Sequence, residues 1–383
     1  MKKKLIFWLP NYPEVMYSFL LAFVKNIDAS VKIVCFRGLL KEREGVYGED
    51  ELSRHAQFIY YNDEEDLDHF INAIIAENTG AIYFFGGFLG KVGKALQLYH
   101  QCGGDKAVII TEKPSVRPAK HFNKIVRFLK ELKARHSYGN AYRAVADSIK
   151  AVLVTGEKGV RQLTAFGIPE EKLYNFMYTH IEEETRPCKQ EKSDKVRFVY
   201  VGRFNYLNRG MDNLIYAFNK LSQDNWTLDL VGGYGEDANE IIGWAKNKEN
   251  VHYAGMWKSN QVINNLQNYD VCISPTRIDG WRIQVNQAII AGIGTITTDE
   301  AISDELIRNS GAGLIVSASK KRELKKAVEY VLRDSQIIQK WKDAAKNYKD
   351  KISNEVVVEY FTNIMKYVFF NENYVGERPK CPW

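Results

Sequence analysis

Short apolar runs alternate with amphipathic segments of helical length along almost the whole chain. The first half begins with an apolar run over residues 5–9 and a helical pattern over 14–25, and the second half begins with an apolar run over 197–201. Such alternation is typical of parallel sheets covered by helices. We therefore expect an α/β protein with two Rossmann-like domains facing each other across a cleft, which is the usual place for a binding site.

The segment 181–195 separates two series of strand-like runs. It is polar and charged, and it contains Pro187, as expected for a linker between domains. The sequence therefore predicts a first domain over 1–185, a second over 186–350, and a C-terminal helix and tail over 351–383.

Composition excludes several classes of protein. The 383 residues are 45% hydrophobic, which is enough for two cores, and the five cysteines form no CxxC pair. Neither a disulfide framework nor a zinc site is indicated. The apolar run near the start is too short for a signal peptide, and no uncharged apolar run approaches the ~20 residues that span a bilayer. We expect a cytoplasmic protein.

One segment concentrates positive charge. Residues 117–135 carry seven Lys or Arg against the single acid Glu131. An apolar stripe accompanies them, formed by Phe122, Ile125, Val126, Phe128, Leu129 and Leu132. The pattern fits a helix lying on an anionic membrane surface and equally a surface helix that packs its apolar side inward. Nucleic acid is a poorer fit, because the net charge is only +6 and no nucleic-acid motif is present.

A strand–loop–helix pattern over residues 270–291 is the main candidate site. An apolar run is followed by a turn with Pro275 and Gly280, and then by a helical pattern that stops before Gly292. Ligands of open α/β sheets bind at the carboxyl ends of strands, where helix N-termini favour anions. Asp279 and Gln287 could face one ligand there, although an acid before a helix also serves as an ordinary N-cap.

Two arginines flank the first turn of the second domain. Arg203 follows the apolar run and Arg209 precedes the next helical pattern. A planar guanidinium group can bind two phosphate oxygens at once, so the two arginines suit a pyrophosphate. The alternative is that both are solvated loop arginines. A glycine-rich loop over 230–236 allows close approach to a ligand or simply makes a turn.

Taken in order, these segments resemble the retaining glycosyltransferases of the GT-B fold, specifically glycosyltransferase family 4. The resemblance covers about residues 196–333 and rests on Val-Gly-Arg…Arg-Gly at 201–210, Leu-Val-Gly-Gly-Tyr-Gly at 230–235, Ala-Gly-Met-Trp at 254–257 and the block at 274–288. It implies that the first domain takes the acceptor, that the second takes the donor, and that the last helix crosses back to the first domain.

The resemblance also implies roles for individual residues. Arg203 and Arg209 would hold the donor diphosphate, Asp279 the donor hexose, and Gln287 the ribose hydroxyls. The implied donor-binding set is Arg203, Arg209, Gly233, Tyr234, Met256, Asp279, Gly280, Trp281, Arg282, Ile283 and Gln287. Three departures from the family's usual residues matter most, with Asp279 and Gln287 in place of glutamates and Arg282 in place of glycine, and Arg209 also stands where the family usually has lysine. A neutral amide contacts hydroxyls more weakly than a carboxylate, and Arg282 could add a phosphate ligand or fill part of the pocket.

The mechanism implied by the family needs no metal and no cofactor beyond the nucleotide sugar. Arg203, Arg209 and the helix N-terminus would stabilise the leaving diphosphate, which would deprotonate the acceptor on the same face and so retain the anomeric configuration. Asp279 and Glu112, which follows a strand of the first domain, are the catalytic candidates. Glu112 could contact donor sugar or acceptor, or be an ordinary loop acid.

The sequence therefore predicts a hexosyl-type glycosyltransferase acting on a nucleotide sugar and a glycan or lipid-linked acceptor, in the synthesis of a bacterial surface glycan. The departures at Arg282 and Gln287 keep a non-catalytic nucleotide-sugar-binding subunit open as the alternative. An epimerase that alters a sugar still linked to its nucleotide is a further alternative. An Asp-x-Asp at 66–68, which in other glycosyltransferases binds a metal, is interpreted here as the acidic start of a helix.

Overall fold

A computed structural model describes residues 3–38, 51–115, 124–180, 194–369 and 376–383. The chain forms two compact units. The first contains the described residues up to Thr179 together with the segment Asn354–Pro382, and the second contains His180–Ser353 and Trp383. The predicted linker lies almost wholly at 181–193, outside the described residues.

The first unit is built on a parallel sheet of seven strands in the order β3-β2-β1-β4-β5-β6-β7. The strands are β1 (Lys3–Leu9), β2 (Ala29–Cys35), β3 (Gln57–Tyr60), β4 (Ile82–Phe85), β5 (Ala107–Thr111), β6 (Ile149–Thr155) and β7 (Leu173–Phe176). The helices between them are α1 (Tyr17–Lys25), α2 (Leu67–Glu77), α3 (Gly90–Gln101), α4 (Lys124–Arg143) and α5 (Gly156–Ala165). The central strands are buried on both faces, which explains their continuous apolar runs.

The second unit repeats this plan with six parallel strands in the order β10-β9-β8-β11-β12-β13. These are β8 (Val196–Gly202), β9 (Trp226–Gly232), β10 (Val251–Tyr253), β11 (Val271–Ser274), β12 (Gly294–Thr298) and β13 (Gly313–Val316). Its helices are α6 (Tyr206–Arg209), α7 (Met211–Asn219), α8 (Ala238–Lys246), α9 (Val262–Leu266), α10 (Ile283–Ala291), α11 (Asp304–Ser310), α12 (Lys321–Arg333) and α13 (Gln336–Tyr348). The expected fold class, two Rossmann-like α/β domains, is confirmed.

The last helix, α14 (Asn354–Phe369), packs in the first unit. Its Phe361 is fully buried, with ring centroids 5.0 Å from Phe19, 4.8 Å from Phe23 and 5.8 Å from Phe84. Edge-on aromatic contacts of this kind stabilise by ~0.5–1.5 kcal/mol beyond the area they bury. An aromatic cluster therefore anchors the C-terminal helix in the core of the first unit.

Most expected elements are present, with shifted ends. The helix expected over 14–25 begins at Tyr17, because residues 13–16 form a turn in which Met16 N–H donates to Pro13 O at 3.0 Å. The Asp-x-Asp segment starts a helix as predicted, since the Asp66 side chain accepts from His69 N–H at 2.7 Å and caps α2. No helix among the described residues is long and apolar enough to cross a membrane.

Candidate functional site

The strand order of the second unit reverses beside β8, whose neighbours are β9 on one side and β11 on the other. The chain winds outward from β8 through β9 to β10, and then returns past β8 to begin β11. Such a reversal is a topological switch point, where the loops at the carboxyl ends of the two strands diverge and leave a crevice. The loops after β8, β9 and β11 contain most of the predicted donor residues, and Met256 follows β10.

The loops after β8 and β9 touch through their backbones. Phe204 N–H donates to Tyr234 O at 2.9 Å, and a side chain at Gly232 would place its Cβ 2.0 Å from Gly202 O. Gly235 adopts φ 126°, and a Cβ there would lie 2.4 Å from Phe204 O. Gly232 and Gly235 are therefore required by the close approach of the two backbones.

The two arginines have different environments. Arg203 is exposed, and its guanidinium carbon lies 5.3 Å from the centroid of the Tyr234 ring. Arg209 is mostly buried, with 21% of its side chain exposed, and its Nη1 donates to Asp279 Oδ2. Arg203 is therefore solvated in this structure, which fits both interpretations of it, whereas Arg209 is not a solvated loop arginine.

The Arg209–Asp279 pair joins the loop after β8 to the loop after β11. The Asp279 side chain is 11% exposed. Burial lowers the pKa of Arg209, but the neighbouring Asp279 carboxylate outweighs this and leaves the pKa above its ordinary value. The guanidinium of Arg209 therefore stays charged, and its contact with Asp279 compensates it for lost hydration.

Helix α10 begins without a side-chain cap. Its N-cap position is held by Arg282, whose side chain makes no capping hydrogen bond. The alternative that Asp279 is an ordinary N-cap is therefore wrong, because its carboxylate bonds Arg209 instead. Gly280 and Ile283, expected near the donor phosphates, are partly exposed on either side of this helix start.

Arg282 is buried, with only 4% of its side chain exposed. Its Nε donates to Ser274 Oγ at 3.0 Å and its Nη2 to Val201 O at 2.8 Å. A side chain at Gly202 would place its Cβ 2.8 Å from this same Nη2. Arg282 thus ties the carboxyl ends of β8 and β11 together, which is a positioning role rather than the direct phosphate contact considered from the sequence.

Two other predicted donor residues are also buried. Trp281 is 5% exposed and donates from Nε1 to Asn286 Oδ1 at 3.0 Å, while Gln287 is 7% exposed. Gly233 and Tyr234 are partly exposed, and Met256 is 59% exposed just after β10. Gly233, Tyr234 and Met256 are therefore accessible to a ligand, whereas Trp281 and Gln287 are buried.

Glu112 lies in the first unit, directly after β5, and is exposed. The residue that follows it, Lys113, donates its backbone N–H to Thr155 Oγ1 at 3.0 Å, which holds the loop to the end of β6. The other predicted site residues all lie in the second unit. Among the described residues, no three His, Cys, Asp or Glu side chains form a group that could bind a metal ion.

One residue that supports the site was missed from the sequence. Tyr200, fully buried in β8, donates its hydroxyl to Arg203 O at 2.6 Å, and the Arg282 guanidinium carbon lies 5.8 Å from its ring centroid. Burial raises the pKa of this phenol, so the hydroxyl keeps the proton it donates. A tyrosine inside an otherwise apolar run was the available signal, because a buried hydroxyl needs a partner.

The second unit also matches a known protein family. Residues 181–348, less than half of the chain, match the family described as "Glycosyl transferases group 1". An uncharacterized 41.2 kDa protein in the cps region of Klebsiella pneumoniae is 24% identical over 175 residues. That match spans 45% of this chain and 46% of the relative, so the chain aligns with less than half of the relative's length.

Solved structures resemble the whole chain. WaaG, described as a glycosyltransferase involved in lipopolysaccharide biosynthesis, gives a TM-score of 0.67 at 16% identity over 95% of this chain and 99% of WaaG. Anabaena Alr3699/HepE in complex with UDP gives a TM-score of 0.72 at 12% identity, over 95% of this chain and 100% of the Anabaena chain. A Listeria monocytogenes protein provisionally described as a UDP-N-acetylglucosamine 2-epimerase gives 0.64 at 15% identity, with 99% of each chain covered.

At these identities the structural matches establish the fold and nothing finer. The chain has the two-domain architecture of GT-B glycosyltransferases, and its residues 181–348 match the model of the glycosyl transferases group 1 domain.

Proposed function

We propose that the protein is a retaining, metal-independent glycosyltransferase. It would transfer a hexose or related sugar from a nucleoside diphosphate donor to a hydroxyl of a glycan or lipid-linked acceptor, on the cytoplasmic side of bacterial surface polysaccharide synthesis. The observation that carries this proposal is the Arg209–Asp279 pair at the switch point of the second unit, beside the start of α10, with the exposed Arg203 on the same loop after β8.

The charges at this point suit a sugar pyrophosphate. Two guanidinium groups and the free N–H groups of a helix N-terminus are the donors that bind phosphate oxygens. The similar Anabaena structure was solved with UDP, and the Klebsiella relative lies in a cps region. Both facts favour a nucleotide-sugar donor and a polysaccharide product for this chain.

Each residue would have a separate task in the reaction. Arg203, already exposed, would bind a phosphate oxygen directly, and Arg209 would bind the second phosphate while still held by Asp279. As negative charge develops on the leaving diphosphate, these fixed donors would stabilise it. Asp279 would also orient the donor sugar by accepting from its hydroxyls, and Glu112 would contact the sugar or the acceptor. The positive charge for the leaving group thus comes from the protein, without a divalent ion.

A nucleotide-sugar panel tests the proposal. The purified protein is incubated with UDP-, GDP- and ADP-linked hexoses, with and without glycan acceptors, and release of nucleoside diphosphate is measured. Acceptor-dependent release with one donor is expected, and NMR of the product should show the anomeric configuration of the donor. A product of inverted configuration would refute the retaining mechanism.

The same panel separates the two alternatives. A non-catalytic subunit, favoured by the buried positions of Arg282 and Gln287, would bind a donor without releasing nucleoside diphosphate under any condition. An epimerase, compatible with the Listeria match, would return a changed sugar that is still attached to its nucleotide.

A further inference from the structure

Helix α4 exposes a row of large apolar side chains to solvent. Ile125 is 69% exposed, Phe128 59%, Leu129 58% and Leu132 45%. We call these four residues the α4 stripe. Their spacing of three and four residues places them on one face, and at 100° per residue they occupy an arc of about 100°. Exposed apolar clusters of this kind mark surfaces that bind a partner.

The opposite face of α4 attaches the helix to the first unit. Ala134, Tyr138 and Ala141 pack against the core, and the Tyr138 ring lies 6.1 Å from Phe88 and 6.2 Å from Phe166. These three residues are centred on the side of the helix roughly opposite the stripe. The sequence-based alternative in which the apolar stripe packs inward is therefore wrong for these four residues. Phe122 lies outside the described residues.

Positive charge surrounds the stripe. Residues 124–135 contain five Lys or Arg and one acid, Glu131, which pairs with Arg127 at 3.2 Å. Lys133 and Arg135 are exposed and project on either side of the stripe. Long basic side chains in these positions can reach phosphates while their methylene groups lie along the apolar surface.

We propose that the α4 stripe docks the protein on an anionic membrane, with the four apolar side chains at the boundary of headgroups and acyl chains. The charge favours this occupant over a second copy of the chain. A symmetric dimer through the stripe would bring two basic segments together, whereas an anionic lipid surface attracts them. Protein interface cores are also depleted of lysine.

Vesicle binding by the full-length protein tests the proposal. The wild-type chain should bind vesicles with about 30% phosphatidylglycerol in phosphatidylcholine far better than pure phosphatidylcholine, and added salt should weaken the binding. Phe128→Gln with Leu129→Gln should reduce binding at least tenfold. A matched control, Val15→Gln with Tyr330→Gln, removes two exposed apolar side chains elsewhere, which are 53% and 43% exposed, and should stay within about twofold of wild type.

The flanking charges give a second readout. Each Lys or Arg near an anionic surface contributes ~1 kcal/mol, so Lys133→Gln with Arg135→Gln should weaken binding about 25-fold. Thermal unfolding should be unchanged for both pairs, since all four side chains are exposed.

Two results would overturn the proposal. One is binding that is equal on neutral and anionic vesicles and unaffected by either substituted pair. The other is a dimer, detected by sedimentation, that dissociates on Phe128→Gln with Leu129→Gln, while the wild-type protein does not bind vesicles. That result would assign the stripe to self-association. The measurement involves no nucleotide sugar, so its failure leaves the proposed transfer reaction untouched.

Discussion

Replacing Arg203 with alanine isolates one phosphate contact without disturbing the fold. The Arg203 side chain is exposed and lies against the face of Tyr234, so its loss should change the free energy of unfolding by less than about 0.5 kcal/mol. A hydrogen bond to a charged group contributes ~1.5–3 kcal/mol. A loss of ~1.4 kcal/mol of binding free energy raises the dissociation constant tenfold, so the dissociation constant for a nucleoside diphosphate should rise about 10- to 140-fold.

Calorimetric titration with UDP, GDP and ADP measures this effect on whichever nucleotide the wild-type protein binds. Arg333→Ala is the matched control, because it also removes one exposed positive charge, 68% exposed, but at the far end of α12. It should leave the affinity within about twofold at physiological salt, where exposed charges more than a Debye length away are screened. Equal affinities for wild type and Arg203→Ala would remove this arginine from the donor site and refute the reasoning.

Three further outcomes are expected. Gly210→Ala should destabilise the protein by about 2–4 kcal/mol in urea unfolding, because φ is 63° and the added Cβ would lie 2.0 Å from Pro275 O. The control is Gly243→Ala in α8, where the added Cβ would have no neighbour within 4 Å. It should be neutral or stabilising. Asp270 is mostly buried and pairs with Lys342 at 3.0 Å. Burial raises its pKa, but its hydrogen bonds outweigh this and leave the pKa below the ordinary value. The contribution of Asp270 to folding stability is therefore present above the unfolded pKa of about 4 and is lost as pH falls through the folded value. Asp270→Asn should thus lower stability by about 1–3 kcal/mol at pH 7 and flatten the loss on acidification, and parallel pH curves would contradict this. Transferase activity should survive EDTA, and a complete loss that Mn²⁺ restores would argue against the metal-free mechanism.

The sequence predicted the strands of both sheets because burial on two faces produces continuous apolar runs. It also indicated that the loops holding Arg203 and Asp279 belong to one unit, since both follow strands of the second series. It could not show that Arg209 bonds Asp279, because their contact depends on how α6 and the loop after β11 turn.

Side-chain direction was the other limit. From the sequence, Arg282 could be a phosphate ligand or could fill part of the pocket, and neither interpretation indicated that it is buried in the second unit and donates to Val201 O. The row of apolar residues on α4 fits an inward or an outward face equally well, and only the packing of Tyr138 against Phe88 decides between them. Periodicity defines a face of a helix, but the direction of that face depends on tertiary contacts.

The Arg209–Asp279 pair has a consequence for how tightly any anion can be held. The Arg209 guanidinium is already paired with a carboxylate before any ligand binds. An arriving diphosphate therefore gains only the difference between its own attraction to Arg209 and the attraction of Asp279. In return, the empty protein never carries an uncompensated buried charge. Such an arrangement favours rapid exchange of nucleotide over strong retention, as the proposed transfer reaction would require for release of its nucleoside diphosphate.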